Sequence, residues 1–78
     1  MTYYVYGTPA CGFCKQALAI LDRHDEDYVY QLITNLSSEQ QQDLMTKAGV
    51  QFKTVPQVFL DDEYIGGFTQ LKEKLDEK

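Results

Sequence analysis

The sequence has little of what several large protein classes require. It contains two cysteines in 78 residues, too few for the multi-bridge framework of a small secreted domain. Its 7 Lys and Arg stand against 12 Asp and Glu, for a formal charge of -5, and such a chain is poorly suited to neutralising the phosphates of DNA or RNA. No apolar run reaches the roughly 18 residues of a membrane span. We therefore expect no disulfide scaffold, no nucleic-acid partner and no membrane insertion.

The N-terminal residues also lack the marks of a secretory leader. The start Met1-Thr2-Tyr3-Tyr4 carries neither a basic segment nor a leucine-rich one, so we expect a cytosolic protein. We also expect a monomer. Hydrophobic residues make up 44% and charged residues 24% of the chain, which is ordinary for a folded domain. The length predicts a single domain over residues 1–78, because a chain this short buries only about 60% of its unfolded surface around one core.

What the sequence does contain is a regular alternation of strand-like and helix-like segments. Four segments have the composition of strands: residues 3–6, 28–33, 55–60 and 64–65. Three segments place apolar residues at helical spacing: one from Phe13 onward, one between the Ser37-Ser38 pair and Gly49, and one from Phe68 onward. The predicted order is β-α-β-α-β-β-α, an α/β fold with no linker or internal repeat.

Both cysteines lie in one Cys-x-x-Cys motif at the start of the first predicted helix. Cys11 directly precedes that helix, where unpaired backbone N–H groups and the positive end of the helix dipole favour a thiolate. Cys14 lies one turn further on the same face, close enough to form a disulfide with Cys11 and deeper in the structure. Thiol–disulfide exchange needs an exposed attacking sulfur and a second sulfur that resolves the mixed disulfide. The spacing therefore indicates a redox pair, with Cys11 attacking and Cys14 resolving.

Two other interpretations of the pair stay open at this point. A Cys-x-x-Cys motif can form half of a tetrahedral zinc site, although the chain has no second cysteine pair and His24 is its only histidine. The cysteines can also be buried and inert, although a Gly-x-Pro-x-Cys turn between a strand and a helix is a poor place for buried, inert cysteines.

Tyr6 lies near this turn and is a candidate for ligand contact. Most other tyrosines are expected in the core or in cross-strand pairs.

Three motifs in a fixed order resemble those of the glutaredoxin family. They are Cys11-Gly12-Phe13-Cys14 after the first predicted strand, Thr54-Val55-Pro56 before the third, and Gly66-Gly67-Phe68-Thr69 at the start of the last helix. The resemblance covers essentially the whole chain. It implies a thioredoxin-like fold, with a mixed four-stranded sheet flanked by three helices and Pro56 in the cis form facing the cysteines.

The same resemblance implies a binding site for the tripeptide glutathione. Its residues in this sequence would be Phe13, Thr54, Val55, Pro56, Gly67, Phe68, Thr69 and Gln70. The Val55 backbone would pair with the cysteinyl part of glutathione. The first turn of the last helix, with Thr69 and Gln70, would meet the γ-glutamyl carboxylate, and Phe13 would flank the sulfur.

The sequence departs from the family pattern at two positions of that site. Thr8 stands where many glutaredoxins have a Lys or Arg that meets the glycyl carboxylate, and Lys15, Gln51 and Lys53 are candidate replacements. Gln70 stands where relatives commonly have an acidic residue, and a neutral amide gives up the charge assistance to the γ-glutamyl amine. The resemblance therefore implies a glutathione site of low or altered affinity.

The resemblance implies an enzyme that reduces protein disulfides and glutathione mixed disulfides, with glutathione as co-substrate. Ribonucleotide reductase is the expected kind of client, by family analogy. Two alternatives stay open. In the first, thioredoxin reductase recharges the cysteine pair. In the second, Cys11 from two subunits and two glutathiones hold a [2Fe–2S] cluster, and Gly12 removes one obstacle to such a cluster. No other metal is expected.

Overall fold

A computed structural model describes residues 2–52 and 55–76. Its strands are β1 (Thr2–Gly7), β2 (Asp27–Leu32), β3 (Gln57–Leu60) and β4 (Glu63–Gly66). Its helices are α1 (Gly12–Arg23), α2 (Ser38–Ala48) and α3 (Phe68–Asp76). The order β-α-β-α-β-β-α is the predicted one. None of these helices has the length and apolar character that crossing a bilayer requires.

The four strands form one mixed sheet in the order β2-β1-β3-β4. β1 and β2 run parallel, because α1 carries the chain back to the end of the sheet where β1 began. β3 runs antiparallel to both β1 and β4. In the parallel pair, Val5 lies opposite Tyr30 and Gly7 lies opposite Leu32. The turn that contains the cysteines leaves the sheet directly after Gly7, at the C-terminal end of β1.

The hydrophobic core lies between one face of the sheet and the helices α1 and α3. Alternate residues of β1 point into it, and Tyr3 and Val5 are 1% and 0% exposed. The apolar faces of both helices pack against these strand residues. Ala17 and Leu21 from α1 and Leu71 from α3 are each fully buried. α2 lies over the opposite face, and none of its residues is buried.

α2 begins and ends where its sequence signals predict. The Ser37 Oγ accepts a hydrogen bond from the Gln40 N–H at 3.1 Å, and the Gln40 side chain accepts one from the Ser37 N–H at 2.9 Å. This reciprocal pair is a capping box. Gly49 ends the helix with a φ of 76°, a left-handed conformation that glycine adopts without steric cost.

Most strand boundaries differ from the prediction by one residue, and two of the differences have a clear physical cause. Ile33, predicted in the second strand, instead starts the 3-10 turn Ile33–Asn35, because β1 ends at Gly7 and leaves β2 nothing to pair with further on. β3 starts at Gln57, two residues later than predicted. Pro56 has no N–H to donate to the ladder, so it precedes the strand and does not belong to it.

Candidate active site

Cys11 occupies the N-cap position of α1. Its backbone is extended, with φ -88° and ψ 107°, and its Sγ accepts a hydrogen bond from the Cys14 N–H at 3.1 Å. Ser, Thr, Asp or Asn usually fills this position and accepts through a side-chain oxygen, whereas here a sulfur accepts. The first turn of α1 has no acidic residue. The helix dipole and the N–H group therefore both stabilise a negative charge on Cys11.

A tight turn brings the chain from β1 to that position. The Cys11 N–H donates to the Thr8 carbonyl at 3.2 Å, which closes the turn. Pro9 fits its second position because the proline ring fixes φ at a suitable value. Cys11 is partly exposed, so a substrate disulfide can approach its sulfur.

Gly7 makes room for the second sulfur. A Cβ added to Gly7 would collide with Cys14 Sγ, so the Cys14 side chain packs directly against the backbone of β1. Cys14 is only 1% exposed, in contrast to the partly exposed Cys11. The structure thus shows the difference in depth that the spacing predicted.

The Cys14 thiol keeps its proton at neutral pH. The pKa of Cys14 is raised to about 11, and burial is the largest cause. A hydrogen bond with Cys11 and the charge of Cys11 also raise this pKa. A backbone hydrogen bond from Thr8 lowers it. A protonated thiol is a poor nucleophile. Burial and a retained proton therefore make Cys14 a poor candidate for the attacking sulfur.

A groove of about 330 Å³ borders the first turns of α1 and α3. It is lined by seven residues: Phe13, Val55, Pro56, Gly67, Phe68, Thr69 and Gln70. All seven belong to the glutathione site that the resemblance implies, and the eighth member, Thr54, lies outside the described residues. The Val55–Pro56 peptide bond is cis. The rings of Phe13 and Phe68, with centroids 5.8 Å apart, form an apolar wall of the groove.

The side chain of Gln70 is tied to the start of α3. Its Oε1 accepts a hydrogen bond from the Gly67 N–H at 3.0 Å, the same bond that Gln40 makes at the start of α2. Gly66 has a φ of 125°, and a Cβ there would come within 2.9 Å of the Gln70 side chain. Gln70 therefore has a structural role at the helix start as well as a place in the groove.

The cation missing at Thr8 has no replacement among the described residues of the groove. Lys15 and Gln51 are exposed and do not line it, and Lys53 lies outside the described residues. Thr8 itself lies in the cysteine turn, where its carbonyl accepts from Cys11. The described lining is therefore neutral.

Tyr30, which the sequence analysis did not single out, lies beside the redox pair. Its hydroxyl donates to the Thr8 carbonyl at 3.3 Å, and its Cε1 lies 3.4 Å from the point that a Cβ on Gly7 would occupy. Partial burial and the charges of Cys14 and Cys11 raise its pKa. The pairing of β1 with β2 puts Tyr30 here, and that register could not be derived from the composition of either strand.

Tyr6, the aromatic candidate from the sequence, lies on the opposite face of the sheet. Successive side chains of a strand point to opposite faces, so Tyr6 points away from the face that Val5 and Gly7 share. Its ring packs edge-on against Phe59 with centroids 5.9 Å apart. Tyr6 is therefore close to the cysteine turn in the sequence but does not lie beside the cysteines in the structure.

Comparisons with known proteins agree with this geometry. A family model described as Glutaredoxin matches residues 2–65. The chain belongs to the glutaredoxin family. It is 34% identical over 85 aligned positions to glutaredoxin 1 of Escherichia coli strain K12, an alignment that covers 97% of this chain and 99% of that protein. Glutaredoxins are thiol–disulfide oxidoreductases, so this membership favours a redox role for Cys11 and Cys14 over a zinc half-site or an inert pair.

Solved glutaredoxin structures share the fold. The structure of reduced Escherichia coli glutaredoxin matches this glutaredoxin with a TM-score of 0.80 at 32% identity, covering 100% of this chain and 96% of that one. A buckwheat glutaredoxin–glutathione complex matches with a TM-score of 0.77 at 26% identity, covering 96% and 68%. The thioredoxin-like fold expected from the motifs is therefore confirmed.

Proposed function

We propose that this glutaredoxin reduces protein disulfides and glutathione mixed disulfides with glutathione as its reductant. The observation that supports this most is the groove, which gathers seven residues from three separate segments next to the cysteine helix. Its volume of about 330 Å³ falls in the range of small-ligand sites, about 300–1,000 Å³. The buckwheat relative whose structure is a complex with glutathione has the same fold.

Each part of the groove suits a different part of glutathione. Val55 offers a backbone N–H and C=O to the extended cysteinyl unit, as a strand edge does to a peptide. Thr69 and Gln70 lie in the first turn of α3, where backbone N–H groups favour a carboxylate, and that turn has no acidic residue to repel one. Phe13 and Phe68 supply apolar surface for the methylene that carries the sulfur.

The first step is attack by the Cys11 thiolate on a substrate disulfide. A bond forms between Cys11 Sγ and one substrate sulfur, the substrate disulfide breaks, and the other sulfur leaves as a thiolate that takes a proton from water. The mixed disulfide carries no charge on Cys11. Two causes that raise the pKa of Cys14, the hydrogen bond and the charge of Cys11, are therefore weakened when Cys14 has to ionise.

The second step is attack by Cys14 on Cys11 Sγ. Cys14 loses its proton to solvent, the bond from Cys11 to the substrate sulfur breaks, and the substrate leaves as a thiolate while the pair becomes a disulfide. One glutathione thiolate then attacks Cys11 and returns Cys14 to the thiol. A second glutathione attacks the glutathione sulfur on Cys11, which yields glutathione disulfide and the Cys11 thiolate. Two electrons pass from two glutathiones to the substrate.

The electron donor is tested by coupling the reduction of a glutathione mixed disulfide to NADPH oxidation. One assay contains glutathione and glutathione reductase, and the other contains thioredoxin reductase without glutathione. We expect turnover in the first assay alone. Turnover with thioredoxin reductase alone would contradict the proposal and favour the alternative donor, which the neutral Thr8 position keeps open.

Four expectations from the sequence stay predictions. They are ribonucleotide reductase as a client, the cytosolic location, the monomeric state, and the alternative in which two Cys11 residues and two glutathiones carry a [2Fe–2S] cluster.

A further inference from the structure

We propose that Tyr30 is a positioning residue of the redox pair, which holds the cysteine turn so that Cys14 can resolve the mixed disulfide. The proposal requires only the thiol–disulfide exchange of the family, and it does not depend on the glutathione groove. Its geometric basis is one tyrosine side chain that hydrogen-bonds Thr8, the acceptor of the Cys11 N–H, and borders the space above Gly7 that receives the Cys14 sulfur.

The ring of Tyr30 borders the space above Gly7 that receives the Cys14 sulfur. Tyr30 lies opposite Val5 in the parallel ladder, and paired residues of a ladder share a face of the sheet. That is the face onto which α1 packs. Tyr30 Cε1 and Cys14 Sγ both lie within reach of a Cβ placed on Gly7. The ring therefore flanks the same small space that receives the sulfur.

The hydroxyl of Tyr30 binds Thr8, a residue whose backbone contacts both cysteines. The Thr8 carbonyl accepts from the Tyr30 hydroxyl at 3.3 Å and from the Cys11 N–H at 3.2 Å, which uses both lone pairs of that oxygen. The Thr8 backbone also hydrogen-bonds the Cys14 sulfur. Tyr30 is 22 residues away in the chain, so this bond ties the turn to a strand of the sheet.

The charges at the site keep Tyr30 in the form that can donate. Partial burial raises its pKa, and so do the charges of Cys14 and Cys11. The hydroxyl therefore stays protonated over the pH range in which thiols exchange. It remains a donor to Thr8 while either cysteine is a thiolate.

The contribution of Tyr30 falls on the second step of the reaction. Cys14 must reach Cys11 Sγ in line with the bond that breaks, and a small loss of alignment lowers the rate of such an intramolecular step. The Cys11 N–H shares the Thr8 carbonyl with Tyr30, but the Cys11 sulfur has a second hold at the N-cap of α1 through the Cys14 N–H, so we expect attack to depend less on Tyr30. Loss of the Tyr30 hydroxyl should therefore slow resolution more than attack.

A stopped-flow reaction with a chromogenic aryl disulfide separates the two steps. The first aryl thiolate appears when Cys11 attacks, at a rate proportional to the disulfide concentration. The second appears when Cys14 resolves, at a rate independent of it. We expect Tyr30→Phe to slow the second phase about two- to tenfold, the range for loss of one neutral hydrogen bond, with the first phase changed less than about twofold. Tyr30→Ala, which also removes the ring, should slow the second phase further.

Tyr28→Phe is the matched control. Tyr28 is on the same strand and face, and its hydroxyl donates to the Asp22 carboxylate at 3.2 Å, towards the other end of α1. We expect both of its phases to match the unmodified protein. An unchanged second phase in Tyr30→Phe, an equal slowing of both phases, or the same slowing in Tyr28→Phe would each overturn the proposal. If Tyr30→Ala does not fold, the two Phe variants still decide, because each removes only one oxygen.

Discussion

The Cys14 N–H donates a hydrogen bond to the Cys11 sulfur across 3.1 Å, so the residue that we propose resolves the mixed disulfide also contacts the sulfur that we propose forms it. The link acts in both directions. The hydrogen bond with Cys11 and the charge of Cys11 help to raise the pKa of Cys14, and both effects are weakened once Cys11 is bonded to a substrate sulfur. We therefore expect Cys14 to ionise more readily once Cys11 is bonded to a substrate sulfur.

Removal of Cys11 should lower the pKa of Cys14. In Cys11→Ala the hydrogen bond and the charge of Cys11 are absent, so the pKa falls below about 11. Burial, the largest cause, remains, and it keeps the pKa above that of an exposed cysteine. The ultraviolet absorbance of the thiolate reports this titration, and a variant that lacks both cysteines supplies the tyrosine background. A pKa that stays at its original value or rises would contradict the coupling.

Replacing Gly7 by Ala should displace the Cys14 sulfur. The added Cβ collides with Cys14 Sγ, and overpacking of this kind lowers the free energy of unfolding by about 1–3 kcal/mol. Gly12→Ala is the control, because a Cβ on Gly12 meets nothing within 4 Å. Urea unfolding of the reduced proteins measures both. Equal stability of the two variants would show that Gly7 is not needed for space.

A comparison of variants at two glutamines distinguishes the structural role of Gln70 from its role in binding glutathione. Gln70→Ala and Gln40→Ala each remove a side-chain oxygen that accepts from the N-cap N–H of a helix, at 3.0 and 2.9 Å. Both should lower the free energy of unfolding by about 0.5–2 kcal/mol.

Only Gln70→Ala should also raise the KM for glutathione, because Gln70 lines the groove and Gln40 lies on the second helix. Thermal unfolding and steady-state kinetics with varied glutathione check the two effects. An equal change of KM in both variants would mean that Gln70 affects the groove only through stability.

The sequence was sufficient to predict the parts of the fold that depend on local signals. The serine pair and Gly49 mark the two ends of α2, and in the structure Ser37 caps its start and Gly49 ends it. The cysteine turn was equally local, since a strand, a Pro and a helix within a few residues leave Cys11 at the N-cap. In each case the residues that decide the conformation are neighbours in the chain.

The parts that could not be predicted depend on contacts between distant segments. The end of β2 is set by where its partner β1 stops. The cis form of the bond before Pro56 was implied by the family resemblance and not by composition. Tyr30 was missed because its place beside the cysteines depends on the register of two strands.

The central claim is that Cys11 attacks and Cys14 resolves. The most direct test is mass spectrometry of single-cysteine variants after brief incubation with glutathione disulfide. We predict that Cys14→Ser carries one glutathione on Cys11, because the mixed disulfide forms and cannot be resolved from within. Cys11→Ser should carry almost none, since Cys14 is 1% exposed and its pKa is raised. Rapid addition of glutathione to Cys14 in Cys11→Ser, with Cys14→Ser unmodified, would contradict the account.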